Sequence, residues 1–126
     1  MGYRNILLID DDQDDHEIFS AAVEKISGAF TYSARSNAIE ALEQLTSDLL
    51  KPDLIFLDLN MPVMNGQEFL IAVKKSEKLK NIPVIIFSTT SNRATIQLTK
   101  ELGAFDFITK PDKFDSLVLL LQSVLA

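Results

Sequence analysis

The chain has 126 residues, 47% of them hydrophobic, and a net charge of -6 from 18 acids and 12 bases. That is the length of one domain, and its acidic balance argues against nonspecific nucleic-acid binding, which needs a basic face. With no Cys and one His it excludes disulfides, zinc motifs and thiol nucleophiles.

Residues 1–15 hold one Arg followed by a block of acids, unlike a secretory or transit signal. Uninterrupted apolar runs reach only four or five residues, far short of a membrane span. The absence of Cys fits a reducing cytoplasm.

The first predicted strand is Ile6-Leu7-Leu8-Ile9. A helix follows, with Ile18, Phe19, Ala22, Val23 and Ile26 on one face. The second strand, Phe30-Thr31-Tyr32-Ser33, alternates apolar and polar residues. Asn37 then caps a helix carrying Ile39, Leu42 and Leu45 on one side. The third strand is Leu54-Ile55-Phe56-Leu57, and the turn at Asn65-Gly66 opens a helix with Phe69, Leu70 and Val73 inward. After the fourth strand, Val84-Ile85-Ile86-Phe87, a cap at Ser91 starts a helix with Ala94, Leu98 and Leu102 on one face. That helix stops at Gly103. The fifth strand is Phe105-Asp106-Phe107-Ile108. The last helix, Phe114 to Leu125, is apolar on more than one side.

Strand and helix alternate five times, a (βα)5 pattern that builds a doubly wound parallel sheet with helices on both faces. Strands 1, 3 and 4 are continuous apolar runs and belong inside. Strands 2 and 5 carry polar interruptions and belong at the edges. The strand order 2-1-3-4-5 satisfies both conditions. No repeat, linker or low-complexity tract divides the chain, so residues 1–126 are expected to be a single domain.

The carboxyl ends of parallel strands share one edge, and ligands bind there beside the switch in strand order. Strand 1 ends in Asp10-Asp11-Asp12, strand 3 in Asp58, strand 4 in Ser88-Thr89-Thr90, and strand 5 in Thr109-Lys110. Two carboxylates about 4 Å apart repel by about 4 kcal/mol at an effective dielectric of 20. The cluster must protonate, separate or bind a cation. Hard oxygen ligands on a wet rim suit Mg2+. An aspartate left free is a competent nucleophile for phosphoryl transfer, and the charge on the moving group is met by cations. Lys110 supplies a cation and Ser88 a hydroxyl.

Leu8-Ile9-Asp10-Asp11, Leu57-Asp58-Leu59-Asn60-Met61-Pro62, Asn65-Gly66, Ile86-Phe87-Ser88-Thr89 and Lys110-Pro111, in this order and spacing, resemble a CheY-like response-regulator receiver domain of two-component signalling. The resemblance covers essentially the whole chain. It implies a flavodoxin-like fold. It implies that Asp58 is the phosphoacceptor and that Asp10 and Asp11 are the acidic pair, Asp11 the more direct metal ligand. The Asn60 backbone carbonyl completes the protein's share of an Mg2+ site. Ser88 matches the hydroxyl that turns toward the phosphoryl group, Lys110 the lysine that pairs with it, and Phe107 the aromatic switch. Asn60 and Thr90 match positions that tune phosphoryl lifetime. Lys110-Pro111 is expected to be a cis bond.

Other residues carry plainer expectations. Asp12 and Asp14 read as helix-capping and solvated charge. His16 reads as a surface residue, and Met61 and Met64 as packing around Pro62. One or two leucines of Leu117-Val118-Leu119-Leu120-Leu121 are expected on the surface.

The function implied is a phosphoacceptor, not an enzyme beyond self-catalysed phosphotransfer and autodephosphorylation. A sensor histidine kinase or phosphotransfer protein presents a phosphohistidine. The face of the fourth helix, fifth strand and fifth helix then switches toward a downstream protein target, and the same face offers a route to a homodimer. No nucleic acid, membrane or output domain is expected in these residues, and the expected location is cytoplasmic. The alternatives are an intermediate in a phosphorelay and a phosphorylation-independent docking receiver. A phosphohydrolase is disfavoured because Asn60 stands where a second acid would act. A flavin carrier of similar topology predicts a yellow protein.

Overall fold

The computed structural model describes residues 3–26, 28 and 30–125. Its elements run β1 (Asn5–Ile9), α1 (Gln13–Glu24), β2 (Thr31–Arg35), α2 (Ala38–Thr46) and β3 (Leu54–Leu57). They continue with α3 (Gly66–Lys75), β4 (Val84–Ser88), α4 (Arg93–Glu101), β5 (Asp106–Thr109) and α5 (Phe114–Leu125). The strands form one parallel sheet in the order β2-β1-β3-β4-β5. This is the flavodoxin-like (βα)5 arrangement expected from the sequence.

Strand alternation sorts the core into two layers. Leu7, Ile9, Ile55, Leu57, Val84 and Ile86 face one side and pack with Ala41 and Leu45 of α2 and Phe69, Leu70 and Val73 of α3. Ile6, Leu8, Leu54, Phe56, Ile85 and Phe87 face the other, against Phe19 and Val23 of α1 and Leu117 and Leu121 of α5. β1, β3 and β4 are therefore covered on both faces, which explains why they read as unbroken apolar runs. The edges β2 and β5 stay half-buried to exposed.

Local signals place the helix ends. Asn37 accepts from the Glu40 N–H, and Asn65 and Glu68 form a reciprocal capping box. α4 ends in a Schellman motif: Gly103 has φ +108°, its N–H donates to the Lys100 carbonyl, and the Ala104 N–H donates to the Thr99 carbonyl.

Four expectations need correction. The cap of α4 is Asn92, which accepts from the Thr95 N–H, not Ser91. The inward side of α4 is centred on Thr99, while Ala94 and Leu98 are exposed. Thr99 tolerates burial because its hydroxyl donates to the Ile96 carbonyl at 2.9 Å. Ile18 of α1 and Ile39 of α2 also face out, since each helix meets the sheet over a narrower stripe than its apolar residues span. Finally, all peptide bonds of the described residues are trans, Lys110-Pro111 included; trans is the lower-energy isomer even before proline, and Lys110 reaches its acidic partners from it.

Candidate functional site

Parallel pairing aligns Ile9 with Leu57, so the next residues, Asp10 and Asp58, leave adjacent strands side by side. Backbone bonds extend the ladder past the strand ends. The Asp10 N–H donates to Arg35, the Asp58 N–H to Ile9 and the Lys110 N–H to Ser88. Asp10, Asp11 and Asp58 each place a carboxylate oxygen within 4.8 Å of the others. Asp10 and Asp58 are buried and Asp11 is exposed.

Lys110 closes the cluster. Its Nζ lies 2.9 Å from Asp10 Oδ2, 3.9 Å from Asp58 Oδ2 and 2.7 Å from Asp15 Oδ2. The ammonium also sits 5.6 Å from the Phe87 ring centroid, near enough for a cation–π attraction. Ser88 is fully buried at the end of β4. Asn60 and Thr90 line a single cleft of about 540 Å³ between the loops that follow β3 and β4. Phe107, half-buried, packs from β5 onto the core layer shared with α3.

The electrostatics are those of a site short of positive charge. Burial pushes the Asp10 carboxyl up to about 6, and the nearby charge of Asp58 adds to it, against the opposing Asp12 N–H and Lys110. Burial likewise raises Asp58, opposed by Lys110 and the Asn60 N–H. Burial alone would lower the Lys110 ammonium. Hydrogen bonds to Asp15 and Asp10, with the charges of Asp10 and Asp58, outweigh it and hold the group above its ordinary range. Three hard oxygen donors within 4.8 Å of one another, two of them costly to ionise, fit a divalent cation.

The loop from β3 to α3 is held by close approach. A Cβ on Gly66 would stand 2.4 Å from the Asp58 carbonyl oxygen and 2.7 Å from Leu59 Cα, so only glycine lets α3 press against the acid's own backbone. Within the loop, exposed Val63 has φ +68°, a left-handed conformation that costs a β-branched residue about 1–2 kcal/mol. Met61 is buried and Met64 partly so in the core layer below, while Pro62, around which they were expected to pack, is exposed.

Two residues differ from the sequence reading. His16 is buried, with Nε2 in hydrogen-bond contact with the Asp10 carbonyl; because a carbonyl only accepts, this nitrogen carries the proton. Asp12 is the N-cap of α1, as expected. Asp15, in the same turn, instead reaches Lys110 across 95 residues of sequence. The only sequence signal for Asp15 was the density of acids after Asp11.

A family model for the response regulator receiver domain matches residues 6–122. The sensory transduction protein BceR of Halalkalibacterium halodurans is 34% identical over 114 residues, 90% of this chain and 47% of its own length. The protein-glutamate methylesterase/protein-glutamine glutaminase of Bacillus subtilis is 38% identical over 117 residues, 90% of this chain and 31% of its own. The chain thus spans less than half the length of either. Among solved structures, the phosphorylated cyanobacterial phytochrome response regulator RcpA aligns with a TM-score of 0.88 at 28% identity, covering 97% of this chain and 91% of its own. The Mn2+-bound form of response regulator Rcp1 aligns with a TM-score of 0.86 at 25% identity, covering 96% and 91%. With the fold they match, these likenesses establish that the chain belongs to the response regulator receiver domains, the phosphoacceptor modules of two-component signalling.

Proposed function

We propose that Asp58 takes the phosphoryl group from a phosphohistidine on a sensor histidine kinase or phosphotransfer protein. A carboxylate oxygen attacks phosphorus, the P–N bond breaks as the O–P bond forms, and the departing imidazole takes up a proton. The observation that carries this reading is the convergence of Asp58 with Asp10, Asp11 and the Lys110 ammonium at one sheet edge. Asp10, Asp11, Asp58 and the Asn60 backbone carbonyl would hold a magnesium ion, which would supply charge to offset the acids and the transferred oxygens. That response regulator Rcp1 has a Mn2+-bound form supports divalent-cation binding.

The product carries a charge near -2 and strong acceptor oxygens. Lys110 pairs with them and the Ser88 hydroxyl donates to them. Ser88 adjoins Thr109 across β4 and β5, so its movement reaches β5. Phe107 turns inward, and the face of α4, β5 and α5 shifts between two states. Exposed Leu98, Phe105 and Leu119 give that face the apolar surface a downstream protein, or a second copy of the chain, would cover. Asn60 and Thr90, facing one cleft, set how long the phosphoryl group survives. Among the described residues no helix is long and apolar enough to cross a membrane.

Incubation with acetyl phosphate and Mg2+, followed by intact-mass measurement, tests the acceptor. The expected result is one added phosphoryl group on the wild type and none on Asp58→Ala. A wild type that never gains the group, or an Asp58→Ala variant that gains it equally, refutes the assignment.

A further inference from the structure

The nearest carboxylate to the Lys110 ammonium is not one of the three that form the acidic lip. Nζ stands 2.7 Å from Asp15 Oδ2 and 2.9 Å from Asp10 Oδ2, but 3.9 Å from Asp58 Oδ2. The first two are hydrogen bonds, while the third is an ion pair beyond hydrogen-bonding distance. An acid in the first turn of a helix needs no partner to be useful, since it complements the helix dipole. Asp15 has one nevertheless, from the far end of the sheet. The lysine side chain is 13% exposed and the Asp15 side chain 27%, so this contact is only partly screened by water.

An ammonium has three N–H donors. Here two are committed to Asp15 and Asp10, and their geometry draws Nζ toward α1. A group built on Asp58 can draw on the ammonium only by pulling Nζ, 3.9 Å from Asp58 Oδ2, away from the position these two bonds hold. We infer that Asp15 is a positioning residue that holds Lys110 back from Asp58 in the unmodified protein and thereby sets how tightly a phosphoryl group on Asp58 is held. The inference rests on Asp58 being the acceptor. On modification, Nζ exchanges its bond to Asp15 for one to a phosphoryl oxygen, and α1 loses its tie to the segment after β5.

Beryllofluoride with saturating Mg2+ reads this without a phosphodonor, because it mimics a phosphoryl group on an aspartate. Asp15→Asn keeps the shape and removes the charge. Its expected effect is to tighten beryllofluoride binding by about three- to tenfold, the size of one partly buried ion pair. Asp14→Asn removes the same charge one residue earlier, from an exposed side chain with no hydrogen bond or ion pair to Lys110, and is expected to change affinity by less than about twofold. In a Lys110→Met background the Asp15 substitution is expected to have no effect, because its action runs through the lysine. A second readout is the 15N resonance of Lys110 Nζ. It is expected to shift in free Asp15→Asn and to coincide with wild type once beryllofluoride is bound.

Unchanged or weaker binding by Asp15→Asn, equal tightening by Asp14→Asn, or a persisting effect without Lys110 each overturns the inference while the acceptor reading stands. A wild type that binds no beryllofluoride overturns both.

Discussion

The Asp10 carboxyl is fully buried, and burial pushes it from 3.8 up to about 6. Between those values the folded protein keeps a proton that the unfolded chain has released. Stability therefore falls as pH rises from about 4 to about 6, by on the order of 2–3 kcal/mol at about 1.4 kcal/mol per unit. Asp58 is raised by the same cause and acts in the same direction. Asp10→Asn removes the ionisation yet keeps an oxygen for the Asp12 N–H, which Asp10 Oδ1 accepts at 2.9 Å. In metal-free urea titrations the variant is expected to gain on wild type across this pH window and to be more stable above it by about 2 kcal/mol. Added Mg2+ should close the gap, because wild type binds the ion through one more carboxylate. Parallel pH curves for the two proteins would contradict the assignment.

At the scale of elements, α3 and α4 are anchored very differently. α3 buries Phe69, Leu70 and Val73 and begins in a capping box, whereas the only buried residue of α4 is Thr99. Deep apolar burial is what raises the free energy of local opening. Amide hydrogen exchange is therefore expected to be fastest in α4 and slowest in β1, β3 and α3. Equal protection of α3 and α4 would count against α4 as the element that shifts. Sequence patterns read the strands and several helix ends well, the ends because Asn37 and Asn65 at starts and Gly103 at a stop signal through bonds to neighbours only three to five positions away. They misplaced the inner side of α4 for a physical reason. The 3.6-residue period says which residues share a face, but where the helix lies on the sheet decides which face is covered. Thr99 looked polar and is inside; Leu98 looked apolar and is out.

At the scale of the molecule, an aromatic cluster joins the sheet to α1 beneath the acidic lip. Phe19 meets Phe56 edge-on at 5.0 Å and Phe87 at 5.6 Å, and stacks on Tyr32 at 5.7 Å. Phe56→Ala is expected to cost about 3–5 kcal/mol, the range for a fully buried phenylalanine. Urea unfolding followed by far-UV circular dichroism and by tyrosine fluorescence should show a single, coincident transition at a lower midpoint. Separate transitions would mean that the two core layers unfold independently. The convergence of Asp10, Asp11, Asp58 and Lys110 was readable because parallel topology sends every strand's carboxyl end to one edge. The burial of His16 and the reach of Asp15 to Lys110 were not readable. Each depends on how closely α1 lies against the ends of β1 and β5, a distance that no local pattern encodes.

Lys110 and Asp10 meet across 100 residues of sequence. A ribosome makes the acids of this centre before the lysine that compensates them. Until the fifth strand docks, Asp10 and Asp58 lack the ammonium that the folded sheet sets against them. Competence to respond arrives together with the completed architecture.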